Sequence, residues 1–294
     1  MKTIFGLVAI LLSLATTPAA ARELHVVASF SVLGDIVARV GGDKIALKVL
    51  VGPDGDAHTF EPSPKDAKAL AQADLVIVNG LNFEPWMRKL VAASGYKGPV
   101  VVASKGITPR EMVEDGRTIP DPHAWQDLAN GAIYVHNIAA VLSTASPENA
   151  ATFEANAASL SKEIADLDRW THDEMSSVPQ PMRQVITTHD AFGYFGAAYG
   201  VTFIAPEGLS TEAEPSAGSL AKLIDQIKRE NIKALFIENM TDPRLIQTIS
   251  RETGAAMGGE LYSDALSKPG GPAPTYPAMF RNNVPKLVSA MMKN

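Results

Sequence analysis

Six histidines occur in the 294-residue sequence: His25, His58, His123, His136, His172 and His189. Three of them sit in turn-rich stretches, His58 in DGDAHTFEPSP, His123 in DPHAW and His189 in TTHDAF; an aspartate, Asp264, sits comparably in LYSDALS. A turn needs Asp, Gly and Pro, but it has no use for an imidazole. Three neutral imidazoles and one carboxylate make a four-coordinate shell of the kind zinc accepts. Imidazole also suits Cu, Fe and Ni, whereas Mn, Mg and Ca prefer oxygen-rich shells. The four residues are dozens of positions apart, so only the fold could assemble them. A histidine at such a place can equally be a hydrogen-bonded structural residue, and spacing alone leaves both readings open. His25 reads as a core or pleat position of a strand, His136 as a mid-helix residue, and His172 as solvated. Trp86, Trp125 and Trp170 read as packing residues at helix starts or faces. A hydrolase reading of Ser210, His189 and Asp190 lacks the G-x-S-x-G elbow. H-E-x-x-H and G-x-x-x-x-G-K-[ST] are absent as well.

The elements that would position these residues alternate. LHVVASF, IALKVLVG, DLVIVNG and VVVAS read as strands in the first half, separated by helical stretches of ten to fifteen residues and followed by a helix over 124–145. That alternation argues for a parallel sheet with covering helices. The pattern breaks at residues 146–179, where no strand signal occurs. Ser146 can cap a helix with Pro147 at its first position. Phe153, Ala157, Leu160, Ile164 and Leu167 then recur at spacings of four and three, on one helical face. A helix of about thirty residues runs roughly 45 Å, enough to cross a domain. Alternation resumes with QVITTHD, VTFIAP, ALFIEN and ELYSDAL as strands and a last helix from Tyr276 to Met292. The fold class is therefore α/β: two lobes, 22–145 and 180–294, each a parallel sheet flanked by helices, joined by one long helix at 146–179. His58, His123, His189 and Asp264 then each lie beyond the end of a strand, where open α/β sheets bind ligands. Residues 107–122 read as the one long loop.

Composition bounds the rest. A 46% hydrophobic and 20% charged chain is that of a folded globular protein. Residues 1–21, MKTIFGLVAILLSLATTPAAA, combine an early Lys2, a short apolar run and small residues at the end, the pattern of a cleaved secretory signal. The apolar run is shorter than the roughly 20 residues that span a bilayer. A periplasmic location is expected. With no cysteine, neither a disulfide nor a cysteine-linked lipid can form. The net charge of −6 disfavours nucleic acid as a partner and mildly favours cations.

GPDGDAHTFEPSPKD, ADLVIVNGLNFEPW, DPHAWQD, TTHDAFGYF, EGLSTEAEPSAGSL and LYSDALS together resemble the ZnuA/TroA/PsaA-type solute-binding family, the periplasmic metal-binding proteins of zinc/manganese ABC importers. The resemblance runs over about residues 24–294. It implies two lobes on a long backbone helix, with a metal in the cleft held by His58, His123, His189 and Asp264. Manganese-type members of the family carry glutamate at the third ligand position, so His189 points towards Zn²⁺, with Mn²⁺ as the alternative. Many zinc-specific members carry a His-rich loop before the second ligand, but GITPREMVEDGRTIP holds no histidine. Three histidines plus this aspartate resemble the branch that includes TroA and the AztC-type proteins. The resemblance further implies an ABC permease in the inner membrane as partner and, for that branch, a periplasmic metallochaperone as donor. The protein is expected to be a monomer and not an enzyme: four protein donors leave no position for an activated water. An exported metallohydrolase is the rival from another class. Asp56 and Glu61 read either as carboxylates orienting an imidazole or as solvated acids. A single connecting helix restrains hinge motion, so the segments expected to move are 107–122 and 205–218.

Overall fold

The computed structural model describes residues 23–114, 116–209, 211 and 215–294. The leader read over 1–21 and Ser210 lie outside the described residues.

The first lobe is built on strands β1 (Leu24–Phe30), β2 (Ile45–Val51), β3 (Leu75–Val78) and β4 (Val100–Val102), all parallel in the order β2-β1-β3-β4. Every residue of β3, LVIV, is buried, as a strand covered on both faces must be. Helices α1 (Ser31–Gly41), α2 (Pro64–Gln72) and α3 (Met87–Ser94) connect these strands. The start of α2 is set locally. Pro64 takes its first position, and the Asp66 carboxylate accepts both the N–H and the hydroxyl of Ser63, at 2.8 Å and 2.7 Å. That fixes where the loop carrying His58 ends.

The stretch expected to be one long loop holds a hairpin instead. Strands β5 (Glu111–Glu114) and β6 (Arg117–Pro120) pair antiparallel. Asp115-Gly116 is a two-residue hairpin signal, and Gly116 has the positive φ, 73°, that such a turn requires. Helices α4 (Leu128–Ala145) and α5 (Ala150–Ser176) follow. The 27 residues of α5 span about 40 Å. Ser146 does not cap α5 as expected: a 3₁₀ turn at Pro147–Asn149 intervenes, and the Ser146 hydroxyl donates to Glu148 instead.

The second lobe comprises β7 (Gln184–Ile186), α6 (Gly193–Tyr199), β8 (Thr202–Ile204), α7 (Ala217–Glu230), β9 (Leu235–Glu238), α8 (Arg244–Thr253), β10 (Met257–Leu261) and α9 (Tyr276–Met291). Its sheet is parallel in the order β10-β9-β7-β8. The expected stripe of α5, Phe153, Ala157, Leu160, Ile164 and Leu167, is buried throughout. It packs against α1 and α4 of the first lobe and α6 and α9 of the second. One apolar core therefore runs from β1 through α5 to α9, and a smaller one around Ile186, Ile227, Leu235 and Ile249 fills the space under α7 and α8. Among the described residues no helix is long and apolar enough to cross a membrane.

Candidate metal centre

All four sequence-selected ligands converge. His58 lies between β2 and α2, His123 just past the β5–β6 hairpin, His189 three residues beyond β7, and Asp264 three beyond β10. One ligand atom from each lies within 4.8 Å of every other. His58 Nε2 is 3.0 Å from Asp264 Oδ2 and 3.4 Å from His123 Nε2; Asp264 Oδ2 is 3.0 Å from His189 Nε2 and 3.7 Å from His123 Nε2. A tetrahedron with bonds of about 2.0–2.1 Å has edges of about 3.3–3.4 Å, which these separations bracket. Calcium, bound at roughly 2.3–2.6 Å by six or more oxygens, fits neither the spacing nor the donors. The side chains of His123, His189 and Asp264 are fully buried, and that of His58 is 7% exposed. Asp264 Oδ1 is buried with no hydrogen-bond partner. Such an orphaned carboxylate oxygen is costly unless a cation meets it.

The remaining histidines are elsewhere. His136 and His172 are exposed, and so is His25, the second residue of β1, which is a pleat position facing away from the core. Two of the tryptophans read as packing residues have a second role: Trp86 Nε1 donates to the Ala57 carbonyl beside His58 at 2.8 Å. Trp125 Nε1 and Gln126 Nε2 both donate to the Ser263 carbonyl at 2.9 Å, tying the residues after His123 to the residue before Asp264. Phe83 meets the edges of His58, Phe30 and Trp125 with centroids under 5 Å apart, so the first-lobe side of the shell rests on an aromatic floor.

Carboxylates stand behind two of the rings. His123 Nδ1 lies 2.8 Å from Asp121 Oδ1. His189 Nδ1 lies 2.8 Å from Glu238 Oε2, out of line for a hydrogen bond but in charge contact, while Glu238 Oε1 accepts the N–H groups of Thr188 and His189 at 3.0 Å each. Carboxylates so placed fix the tautomer and aim Nε2 at a metal. Burial draws all three imidazoles down, but the outcome differs. Glu238 and Asp264 hold His189 well above the usual histidine value, Asp264 and Asp121 hold His123 above it, and His58 stays below. Burial would raise Asp264, yet the surrounding imidazoles keep it well below the ordinary carboxylate range.

Asp121 and Glu238 were not among the residues singled out from sequence. Two signals bear on them: Asp121 precedes His123 in the same Asp-x-His pattern that places Asp56 before His58, and Glu238 ends strand β9 at the same crevice. Asp56 does accept the His58 N–H, at 2.8 Å, whereas Glu61 is exposed.

Two parallel-sheet lobes on one long helix, with a buried imidazole–carboxylate cluster between them, define a cleft-binding protein whose ligand is a metal ion. The family described as zinc-uptake complex component A, periplasmic (ZnuA), matches residues 26–290, and the chain belongs to it. It is 32% identical over 269 residues, 91% of this chain and 88% of the relative, to the manganese-binding lipoprotein MntA of Halalkalibacterium halodurans. Among solved structures, the periplasmic zinc-binding protein TroA of Treponema pallidum superimposes with a TM-score of 0.86 at 28% identity, covering 92% of this chain and 99% of TroA. A Mn-bound S38A mutant of a periplasmic metal-binding protein from Candidatus Liberibacter asiaticus gives 0.84 at 31% identity, covering 92% and 100%. The chain is thus a periplasmic metal-binding, solute-binding component of an ABC importer, and a membrane permease is its implied partner.

Proposed function

We propose that the protein captures Zn²⁺ between its lobes with His58, His123, His189 and Asp264 and hands it to the permease of its importer. The observation that carries this reading is the convergence of three imidazole nitrogens and a carboxylate within 4.8 Å, at separations suited to bonds of zinc length. Asp121 and Glu238 behind two of the rings favour imidazole donors over oxygen donors. On this ligand set we assign the chain to the three-histidine-plus-aspartate branch of the family, and we assign the domains as 22–145, 146–179 and 180–294. The cation is cargo, so the protein is a carrier and not a hydrolase; four protein donors leave no place for a nucleophilic water. We further assign it as a monomer that takes its metal from a periplasmic metallochaperone. Relatives such as MntA are named lipoproteins. This sequence has no cysteine to carry a lipid, which favours a freely diffusing periplasmic form.

Manganese is the second reading. Asp264 Oδ1 has no partner and could add a fifth donor, which suits an ion that accepts more oxygens. Metal analysis of protein isolated from periplasm, followed by competition against chelators of known zinc affinity, separates the two cations. In the same titration His189→Ala weakens binding far more than His136→Ala. Equal losses would overturn the site.

A further inference from the structure

Two of the ligands are introduced by the same tripeptide pattern, Asp56-Ala57-His58 and Asp121-Pro122-His123. In each, aspartate Oδ1 accepts the backbone N–H of its own histidine, at 2.8 Å and 3.0 Å. The two then part. Asp121 Oδ1 also meets His123 Nδ1, so that ring is oriented from within its own loop. Asp56 turns its other oxygen, Oδ2, to the hydroxyl of Thr211, which donates to it at 2.5 Å from the second lobe. The backbone of His58 is therefore held by a chain of two hydrogen bonds that crosses the cleft.

The other three ligands are braced by buried groups. Asp121 holds His123, Glu238 holds the N–H of His189, and Trp125 with Gln126 fixes the carbonyl beside Asp264. His58 alone retains exposure, 7% of its side chain against none for the others. It is the one arm on the solvent side; its loop is pinned to the first lobe by the Trp86 indole N–H, which donates to the Ala57 carbonyl at 2.8 Å, and to the second lobe through Asp56.

We propose that Asp56 is the positioning residue of the His58 arm, and that its hydrogen bond to Thr211 latches this arm across the cleft, so that the cation enters and leaves past His58. The proposal rests on the four residues being the cation's shell. Opening the Asp56–Thr211 bond frees one ligand while His123, His189 and Asp264 stay in place, a stepwise route that requires no separation of the lobes.

The test is stopped-flow release of Zn²⁺ from the full protein into a chromophoric chelator. Thr211→Val, which removes the hydroxyl but keeps the shape, should speed release by about tenfold, the effect of one lost hydrogen bond to a charged group. Thr211→Ser, which keeps the hydroxyl, restores slow release. In an Asp56→Ala background Thr211→Val adds nothing further, because the bond is already gone. Near-UV circular dichroism of the Thr211→Val protein kept in chelator overlays that of wild type, which shows that the fold is intact and ties the faster release to the lost latch. The latch is overturned if Thr211→Val releases Zn²⁺ within about twofold of wild type, or if the two substitutions multiply as independent sites do. Wild-type protein that fails to bind Zn²⁺ would overturn the site assignment itself, and so the two failures are told apart.

Discussion

Capture of a divalent cation by this shell should release two protons near pH 6.5, and the structure identifies their sources. Burial pulls His189 and His123 down, but the carboxylates of Glu238, Asp264 and Asp121 outweigh it and hold both imidazoles above the usual histidine value. Burial wins at His58, which stays below that value. Near pH 6.5 the cation-free shell therefore carries its protons mainly on His189 and His123 and less on His58. Each proton displaced makes affinity change about tenfold per pH unit, so two give about 100-fold. Affinity falls as pH falls, because protons compete for the same nitrogens. The exchange of two protons for one doubly charged ion leaves the net charge unchanged, so affinity should depend little on salt. Calorimetry in two buffers of different ionisation heat counts the protons, and a competition titration from pH 6.5 to 5.5 gives the slope. Release of less than about one proton, with a slope shallower than about tenfold per unit, would refute the reasoning. The signs for the cation-free protein follow from the same groups. The raised His189 adds stability that is full below its unfolded value of about 6.5 and lost as pH rises through its higher folded value. The depressed Asp264 adds stability that is present above about 3.8 and lost as pH falls through its lower folded value. Protons on the two rings thus hold the carboxylates together until metal replaces them.

Asp35 on α1 accepts the N–H of Tyr276 at the start of α9 at 2.8 Å, and burial, partly offset by that bond, pushes its carboxyl up to about 6. Its contribution is therefore favourable below about 3.8 and lost as pH rises through about 6; Asp35→Asn keeps an acceptor, removes the loss, and should add up to about 3 kcal/mol at pH 8 in urea unfolding with chelator present. An unchanged pH slope between 4 and 7 would contradict it. Because Glu238 faces the ring of His189, His189→Glu alone would set two carboxylates together. Paired with Glu238→Gln, it should lower zinc affinity relative to manganese by at least about tenfold in chelator competition, and an unchanged ratio would count against imidazole as the source of zinc preference.

What was legible in the sequence followed from periodicity and from strand ends. The α5 stripe from Phe153 to Leu167 is a helical repeat without a proline or glycine to interrupt it, and it is buried as read. His58, His123, His189 and Asp264 could be grouped because each lies beyond the carboxyl end of a strand or its hairpin extension, where parallel sheets open. The β5–β6 hairpin was passed over despite its Asp115-Gly116 turn signal, because its strands are four residues each and of β5 only Met112 is buried, too little apolar alternation to outweigh the surrounding charges. His25 is a pleat position but not a core one, because it points to the face opposite the buried Leu24 and Val26.

Long-range partners were beyond reach for a different reason. Half of Asp56's role, the turn at His58, is local and follows from Asp-x-His; the other half joins it to a hydroxyl 155 residues away. Trp125 likewise reads as packing until its indole N–H is seen to reach Ser263, 138 residues on. These crossing contacts, with Leu266 N–H on the Ser31 hydroxyl and Asp54 N–H on the Leu266 carbonyl, stitch the lobes together around the shell. The apolar core running through α5 to α9 does the same behind it. Separating the lobes as rigid bodies would break both at once, whereas moving the His58 loop costs the Asp56–Thr211 bond and the bonds at Asp54 and Ala57 but leaves the core and the Trp125–Ser263 contact in place. A protein that must hold its cation tightly and still give it up is better served by the second motion.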